Sequence, residues 1–423
     1  MSNILFIHQN FPGQYKYLMP YLSRVGNKVI ALGEEVNLHD VTFPEDLTVK
    51  TYPTSDPAGQ HTHHYIRTFE EHIRKGQSVL RKCLELRSQE NFIPDIICVH
   101  TGWGEGSFLR DVFPHAKIIA FCEYFYDKRF LGNIEDEFFK MDFDGLLRFR
   151  VQNATQLLSA TNWDWGISPT HFQWSTYPDF LRKKISIIHD GIDTEALQPK
   201  EDAQPVTLPN GVVLDKKKDT VITFVSRNLE PYRGFHSFMR ALPDIQKELP
   251  DAHIVIIGGD SVSYGRPAPD GTTYRELLLQ EVGSKLNLDR VYFIGKLPYS
   301  LFIDVLSHSS VHVYLSYPFV LSWSLLESMS MELLLVASNT ASVAEVVQDR
   351  YNGILCDFYN PQDIAEKIVY AHNLSHEEKQ HIRKNARKTV VDKYDLKTVC
   401  LPKQLSLLNI ISNGGIPKQW GEF

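Results

Sequence analysis

Residues 316–347 read SYPFVLSWSLLESMSMELLLVASNTASVAEVV, and the order of residue types in this stretch decides the fold. A Pro-containing loop leads into a short helical run. The unbroken apolar run 333–337 (LLLVA) follows, then a second polar loop and another helical run. A short apolar run bounded by loops and helices reads as a strand buried on both faces, as a helix-covered parallel sheet requires. Glu327 is expected early in the first helix and Glu345 near the start of the next. Carboxylates near the C-terminal edge of such a sheet are candidates to face a ligand crevice.

Working outward, the same alternation fills the chain. Strands are expected at residues 4–8, 28–32, 95–100, 117–122 and 184–188, with a helix through Ser23 and mostly helical sequence over 136–158. After a polar stretch holding Pro199, Pro205 and Pro209, the pattern restarts with strands at 220–225, 253–257, 291–294 and 311–315. Strand–helix alternation predicts parallel βαβ units. The fold class is therefore α/β, with two Rossmann-like doubly wound domains facing across a cleft. The expected limits are 1–195 for the N-terminal domain, 196–218 for a linker, 219–396 for the C-terminal domain, and 397–423 for a helix and tail returning to the first domain. The polar segment 261–273 reads as a long loop, a common home for function.

Composition narrows the function classes. The 423 residues carry a formal charge of -7, which argues against a nucleic-acid partner. An anionic ligand then needs a local cluster of Arg or Lys. Five cysteines (83, 98, 122, 356 and 400) are far apart and form no CxxC pair. That spacing predicts neither a disulfide framework nor a zinc site, and fits a reducing cytosol. The opening MSNILFIHQNFPG reads as a strand and turn, not a signal peptide. No apolar run approaches the ~20 residues of a membrane span. The expected location is cytoplasmic, with room for peripheral membrane contact.

Four segments carry candidate chemistry. Residues 226–234 (SRNLEPYRG) follow a strand and place Arg227 and Arg233 around Glu230 and Pro231. Guanidinium groups beside helix N-terminal amides suit a diphosphate. The bland reading is two surface arginines, one paired with Glu230. Residues 8–15 (HQNFPGQY) form a strand–turn–helix with Gly13 in the turn, open equally to an anion site or a plain turn. Residues 99–106 (VHTGWGEG) and 121–126 (FCEYFY) both follow strands and bring His100 and Glu123 forward as competing polar groups. His100 is a residue type suited to proton transfer, or is a strand-end histidine satisfied by backbone. Trp103, Tyr124 and Tyr126 offer rings for sugar stacking or for core packing.

The quoted stretch resembles the donor-sugar site of glycosyltransferase family 4, a GT-B, retaining, group 1 family that reads YEGFGLxxLEAMAxGxPVVASxxGGxxEVV. Residues 226–234 resemble its GRxxxxKG signature, with Arg233 in the lysine position. Residues 188–193 (IHDGID), Gly258-Gly259 and Gly295-Lys296-Leu297 resemble three further short matches in collinear order. The first glutamate of the family's Glu-x7-Glu pattern is Phe319 here, and the second is Glu327.

The resemblance implies transfer of a sugar from a UDP- or GDP-linked donor, with retained configuration and no metal or cofactor. The acceptor would be a glycan, a lipid-linked molecule or a protein. Arg227 and Arg233 would stabilise the leaving diphosphate and Glu327 would hold ribose. Gly13, Gly295, Lys296 and the backbone at Val320, Leu321 and Ser322 would line the donor, and Glu123 or His100 would assist at the acceptor. The Asp142-Phe143-Asp144 triplet matches a metal-binding DxD in letters but lies in helical sequence. Two alternatives stay open: a nucleotide-sugar 2-epimerase of the same fold, and a non-catalytic binding member, which the loss at Phe319 keeps in play.

Overall fold

A computed structural model describes residues 1–38, 43–44 and 47–418. The chain divides into two compact units. The first holds Met1–Glu135, Lys140–Gly191 and Leu396–Phe423; the second holds Asp136–Phe139 and Ile192–Asp395. The last five residues of the expected tail lie outside the described residues.

The first unit carries β1 (Asn3–Ile7), β2 (Lys28–Glu34), β3 (Thr48–Tyr52), β4 (Ile96–His100), β5 (Lys117–Phe121), β6 (Trp165–Ser168) and β7 (Ile185–Ile187). They form one parallel sheet in the order β3-β2-β1-β4-β5-β6-β7. The inner strands are buried on both faces because mainly Ile, Leu, Val and Phe fill the positions that helices cover. Leu407, Leu408 and Ile411 of the last helix, Leu401–Ser412, pack with Ile4, Phe6 and Ile119.

The second unit begins with a small antiparallel pair, β8 (Val206–Thr207) and β9 (Val213–Leu214). Its parallel sheet has β10 (Val221–Asn228), β11 (His253–Gly259), β12 (Val291–Phe293), β13 (Val311–Tyr314), β14 (Leu335–Ser338) and β15 (Ile354–Cys356), in the order β12-β11-β10-β13-β14-β15. In each sheet the strand order reverses once, beside β1/β4 and beside β10/β13. Loops leaving such a reversal splay apart and open a crevice at the strand C-termini.

Several expectations need correction. Residues 196–218 are not a free linker. Val206, Leu208 and Leu214 are buried against β10 and β11 residues Val221, Val255 and Ile257, so the segment is part of the second unit. The mostly helical stretch 136–158 carries two helices, Phe143–Val151 and Ala154–Ser159. Asp136–Phe139 instead belongs to the second unit. There Phe139 is buried, its ring 4.3 Å from that of Tyr317 and 5.4 Å from that of Tyr232. After β1 the chain makes one 3-10 turn, Gly13–Tyr15, before the helix Leu18–Arg24.

Candidate active site

The loops at the reversal of the second sheet carry the charged groups. Strand β10 pairs with β11 at Val225↔Ile257 and next at Asn228↔Gly259, so one extra residue bulges out between them. A bulge re-aims a side chain. Here it leaves Arg227 exposed, with no hydrogen bond or ion pair among the described residues. Five residues separate Arg227 from Arg233, one more than in the signature they resemble.

Lys296, just past β12, is likewise exposed and without a partner. Its side chain crosses Gly259, where a Cβ would lie 2.7 Å from Lys296 Cε and 2.7 Å from Asn228 Oδ1. A side chain at 259 would push those two groups aside. Asn228 Oδ1 is buried and has no hydrogen-bond partner. Gly295 is left-handed (φ 69°), and its carbonyl accepts the Gly258 amide at 3.0 Å, tying the ends of β11 and β12 together.

Arg233 has a different environment from Arg227. It is 7% exposed, and its Nη1 donates to Ser316 Oγ (2.8 Å) and to the Val320 carbonyl (3.1 Å). The next residue, Gly234, has φ 69°, and a Cβ there would fall 2.3 Å from that of Leu315. Glycine alone therefore lets helix Phe235–Glu248 start against the loop after β13. Ser316 is pinned in turn, its amide donating to Ser338 Oγ and its carbonyl accepting from Ser338 and Thr340. The sequence reading gave Ser338 and Thr340 no role of their own.

Glu230 pairs with neither arginine. Its fully buried carboxylate accepts the amides of Ser263, Tyr264 and Gly265 at 2.9, 3.1 and 2.9 Å. This anchors the 261–273 loop and sets the Tyr264 ring over Arg233, 5.1 Å from the guanidinium carbon to the ring centroid. Phe319 packs against Tyr264 and Tyr232, centroids 5.0 and 5.7 Å apart.

The remaining second-unit candidates lie on the helix Trp323–Ser330 and the loop before it. Ser322 caps this helix, its hydroxyl accepting from Ser324. Glu327 sits in the second turn, later than expected, and accepts a 2.9 Å hydrogen bond from Tyr299. Of the three loop amides expected to meet a ligand, that of Ser322 is already donated to the Tyr314 hydroxyl. Those of Val320 and Leu321 are not. Glu345 follows a four-residue helix, Ala341–Ala344, at its C-terminal end rather than its start.

In the first unit the reversal brings His8, Gly13 and His100 together. Gly13 has φ 46°, and a Cβ would stand 2.5 Å from the His8 ring. The Asn10 amide donates to His8 Nδ1, and the Gly102 amide donates to His100 Nδ1. Burial, aided by the nearby His100, lowers the His8 pKa to about 3, so its ring stays neutral. His100 stacks on Trp103, centroids 3.7 Å apart, and points Nε2 at the Glu123 carboxylate 3.5 Å away. Gln14 also donates to Glu123 at 3.1 Å.

Beneath them lies Glu105, a residue the sequence reading passed over. Fully buried, it accepts from the Gln9 amide (3.1 Å) and the Tyr52 hydroxyl (3.2 Å), and burial raises its pKa. Its only advance signal was a lone carboxylate within the glycine-rich run 102–106. Tyr124 is buried and Tyr126 half-buried, as core packing would have them.

Asp142 caps the helix Phe143–Val151, its carboxylate accepting the Gly145 amide at 2.7 Å. A capping role explains the first acid of the DxD-like triplet. Among the described residues, no group of three or more His, Cys, Asp or Glu is placed to hold a metal ion.

Two family models cover most of the chain. Residues 25–197 match the glycosyl transferase family 4 group, and residues 211–389 match glycosyl transferases group 1. The chain belongs to the group 1 glycosyltransferases. An uncharacterized glycosyltransferase of Methanocaldococcus jannaschii is 30% identical over 189 residues, 44% of this chain and 43% of that one. The chain spans half or less of the length of the curated relatives it matches.

Among solved structures, sucrose-phosphate synthase of Thermosynechococcus elongatus superposes with a TM-score of 0.71 at 16% identity, covering 98% of this chain and 100% of that one. Anabaena HepE, in complex with UDP and glucose, gives 0.68 at 16% identity, covering 97% and 99%. These likenesses show that this group 1 member has the GT-B fold. Among its described residues, no helix is long and apolar enough to cross a membrane.

Proposed function

We propose that this group 1 member transfers a sugar from a nucleoside-diphosphate donor to an acceptor hydroxyl, retaining the anomeric configuration. One observation carries the reading: two exposed cations, Arg227 and Lys296, without partners among the described residues, stand at the C-terminal ends of β10 and β12 beside a pair of glycines, in a chain of net charge -7. Unpaired cations at strand ends, with backbone able to approach closely, suit a diphosphate. The resemblance to family 4 and the UDP in the HepE complex support the same assignment.

In such a reaction the bond from the anomeric carbon to the phosphate oxygen breaks, and a bond to the acceptor oxygen forms. The acceptor's proton leaves with the departing diphosphate or with solvent. Charge grows on the diphosphate as the bond breaks, so fixed cations stabilise the transition state more than the ground state. Arg227, Lys296 and Arg233 supply that charge, and the reading calls on no metal ion. Glu327, already a hydrogen-bond acceptor for Tyr299, takes the ribose diol. Glu123 takes a sugar or acceptor hydroxyl. Phe319 offers an aromatic wall where the family carries a glutamate.

Release of nucleoside diphosphate from UDP-, GDP- and ADP-sugars, with and without candidate acceptors, tests the proposal. NMR of the product's anomeric proton reads out retention. An absence of release from every donor sinks the transferase reading, and release of an isomerised nucleotide sugar replaces it with epimerisation.

A further inference from the structure

The cation Arg233 is roofed by a side chain more exposed than itself. Tyr264 is 40% exposed, whereas Arg233 beneath it is 7% exposed. The roof rests on a fixed floor: the three amides at 263–265 all donate to the buried Glu230 carboxylate. On its inner side Arg233 is committed to Ser316 and Val320. The side under the Tyr264 ring is left for an incoming anion.

We propose that Tyr264 is a further residue of the donor site: a side-chain gate that covers Arg233 in the absence of donor and swings aside when phosphates arrive. The proposal rests on the phosphate reading of Arg233. The ring's π-face satisfies the guanidinium, so an anion must displace it. A site open only part of the time binds more weakly by the open fraction. Because Glu230 holds the backbone at 264, the motion is rotation about the Tyr264 side-chain bonds between staggered states, not the opening of a loop.

Calorimetric titration with inorganic pyrophosphate tests this on the full chain and its Y264A, Y264F, R233A and R233A/Y264A variants. Y264A is expected to bind about 5-fold tighter than the unaltered chain, the scale of one cation–π contact released. Y264F, which keeps the ring but loses a hydroxyl that also engages Arg233, should fall between the unaltered chain and Y264A, and R233A should abolish the gain from Y264A. If R233A weakens binding but Y264A does not tighten it, the gate is overturned and the phosphate site stands. If R233A leaves pyrophosphate binding unchanged, the phosphate reading of Arg233 falls, and the gate falls with it.

Discussion

His100 and Glu123 form a pair, with His100 Nε2 3.5 Å from the carboxylate and His100 Nδ1 accepting the Gly102 amide at 3.1 Å. With Nδ1 occupied as an acceptor, the hydrogen-bond pattern assigns the ring proton to Nε2, which lies near Glu123 but makes no hydrogen bond among the described residues. Glu123 is the 29% exposed member and His100 the 2% exposed one. On the proposed function, Glu123 is the member placed to meet a ligand, and His100 the one placed to position it. Residues acting as a unit lose function non-additively. Glu123→Gln should lower kcat about 100-fold, His100→Ala less, and the double variant no more than Glu123→Gln. Steady-state kinetics of the three variants decide this, and additive losses would separate the two residues.

Arg227→Ala and Lys296→Ala should each lower kcat/KM about 100-fold, the scale of one transition-state donor. Both side chains are exposed, so thermal melts of the variants should match the parent. Diphosphate release measured beside those melts separates a chemical loss from a folding loss. Unchanged kinetics in both variants would remove the cations from the mechanism.

Glu230→Ala removes the acceptor for three amides at once. Leaving buried donors unsatisfied costs about 1–3 kcal/mol per group, and water reaching the half-buried loop recovers part. A net loss of about 3 kcal/mol in urea unfolding is expected. Hydrogen exchange at residues 263–265 should rise with it. A variant as stable as the parent would show that the loop has another anchor.

Acid should destabilise the fold early. Burial lowers the pKa of His8, His236 and His312 to about 3 each, whereas an unfolded histidine titrates near 6.5. Below about pH 6.5 the unfolded chain takes up protons that the folded chain refuses. Stability is thus complete above that pH and falls as pH drops toward 3, by about 1.4 kcal/mol per unit for each such histidine. The raised pKa of buried Glu105 acts in the opposite sense. His236 lies among Phe138, Phe139 and Phe358, so His236→Phe keeps the packing and removes one proton site. Between about pH 7 and pH 5, urea unfolding should show that variant losing about 2 kcal/mol less stability than the parent.

The parallel α/β architecture was legible because strands such as 311–314 and 335–338 are mostly apolar and buried at every position. Strands with mixed surroundings escaped the sequence: β3 (TVKTY) sits at a sheet edge with polar residues outward, and β15 is three residues long. The linker reading failed because prolines and lysines at 199–218 masked the three apolar residues that dock the segment. Within the site, the strand-end positions of Arg227, Lys296 and His100 followed from pattern. The β10 bulge, the burial of Arg233 and the grip of Glu230 on a loop over 30 residues away depend on tertiary contacts that no local spacing encodes.

Phe139 sets a condition on any attempt to produce the two halves apart. A fragment beginning at Ile192 would carry the aromatic socket of Tyr232, Tyr317 and Phe358 with nothing to fill it. Bare apolar surface of that kind invites self-association. The C-terminal half should behave as a clean monomer only when a peptide spanning 136–139 is grafted back onto it.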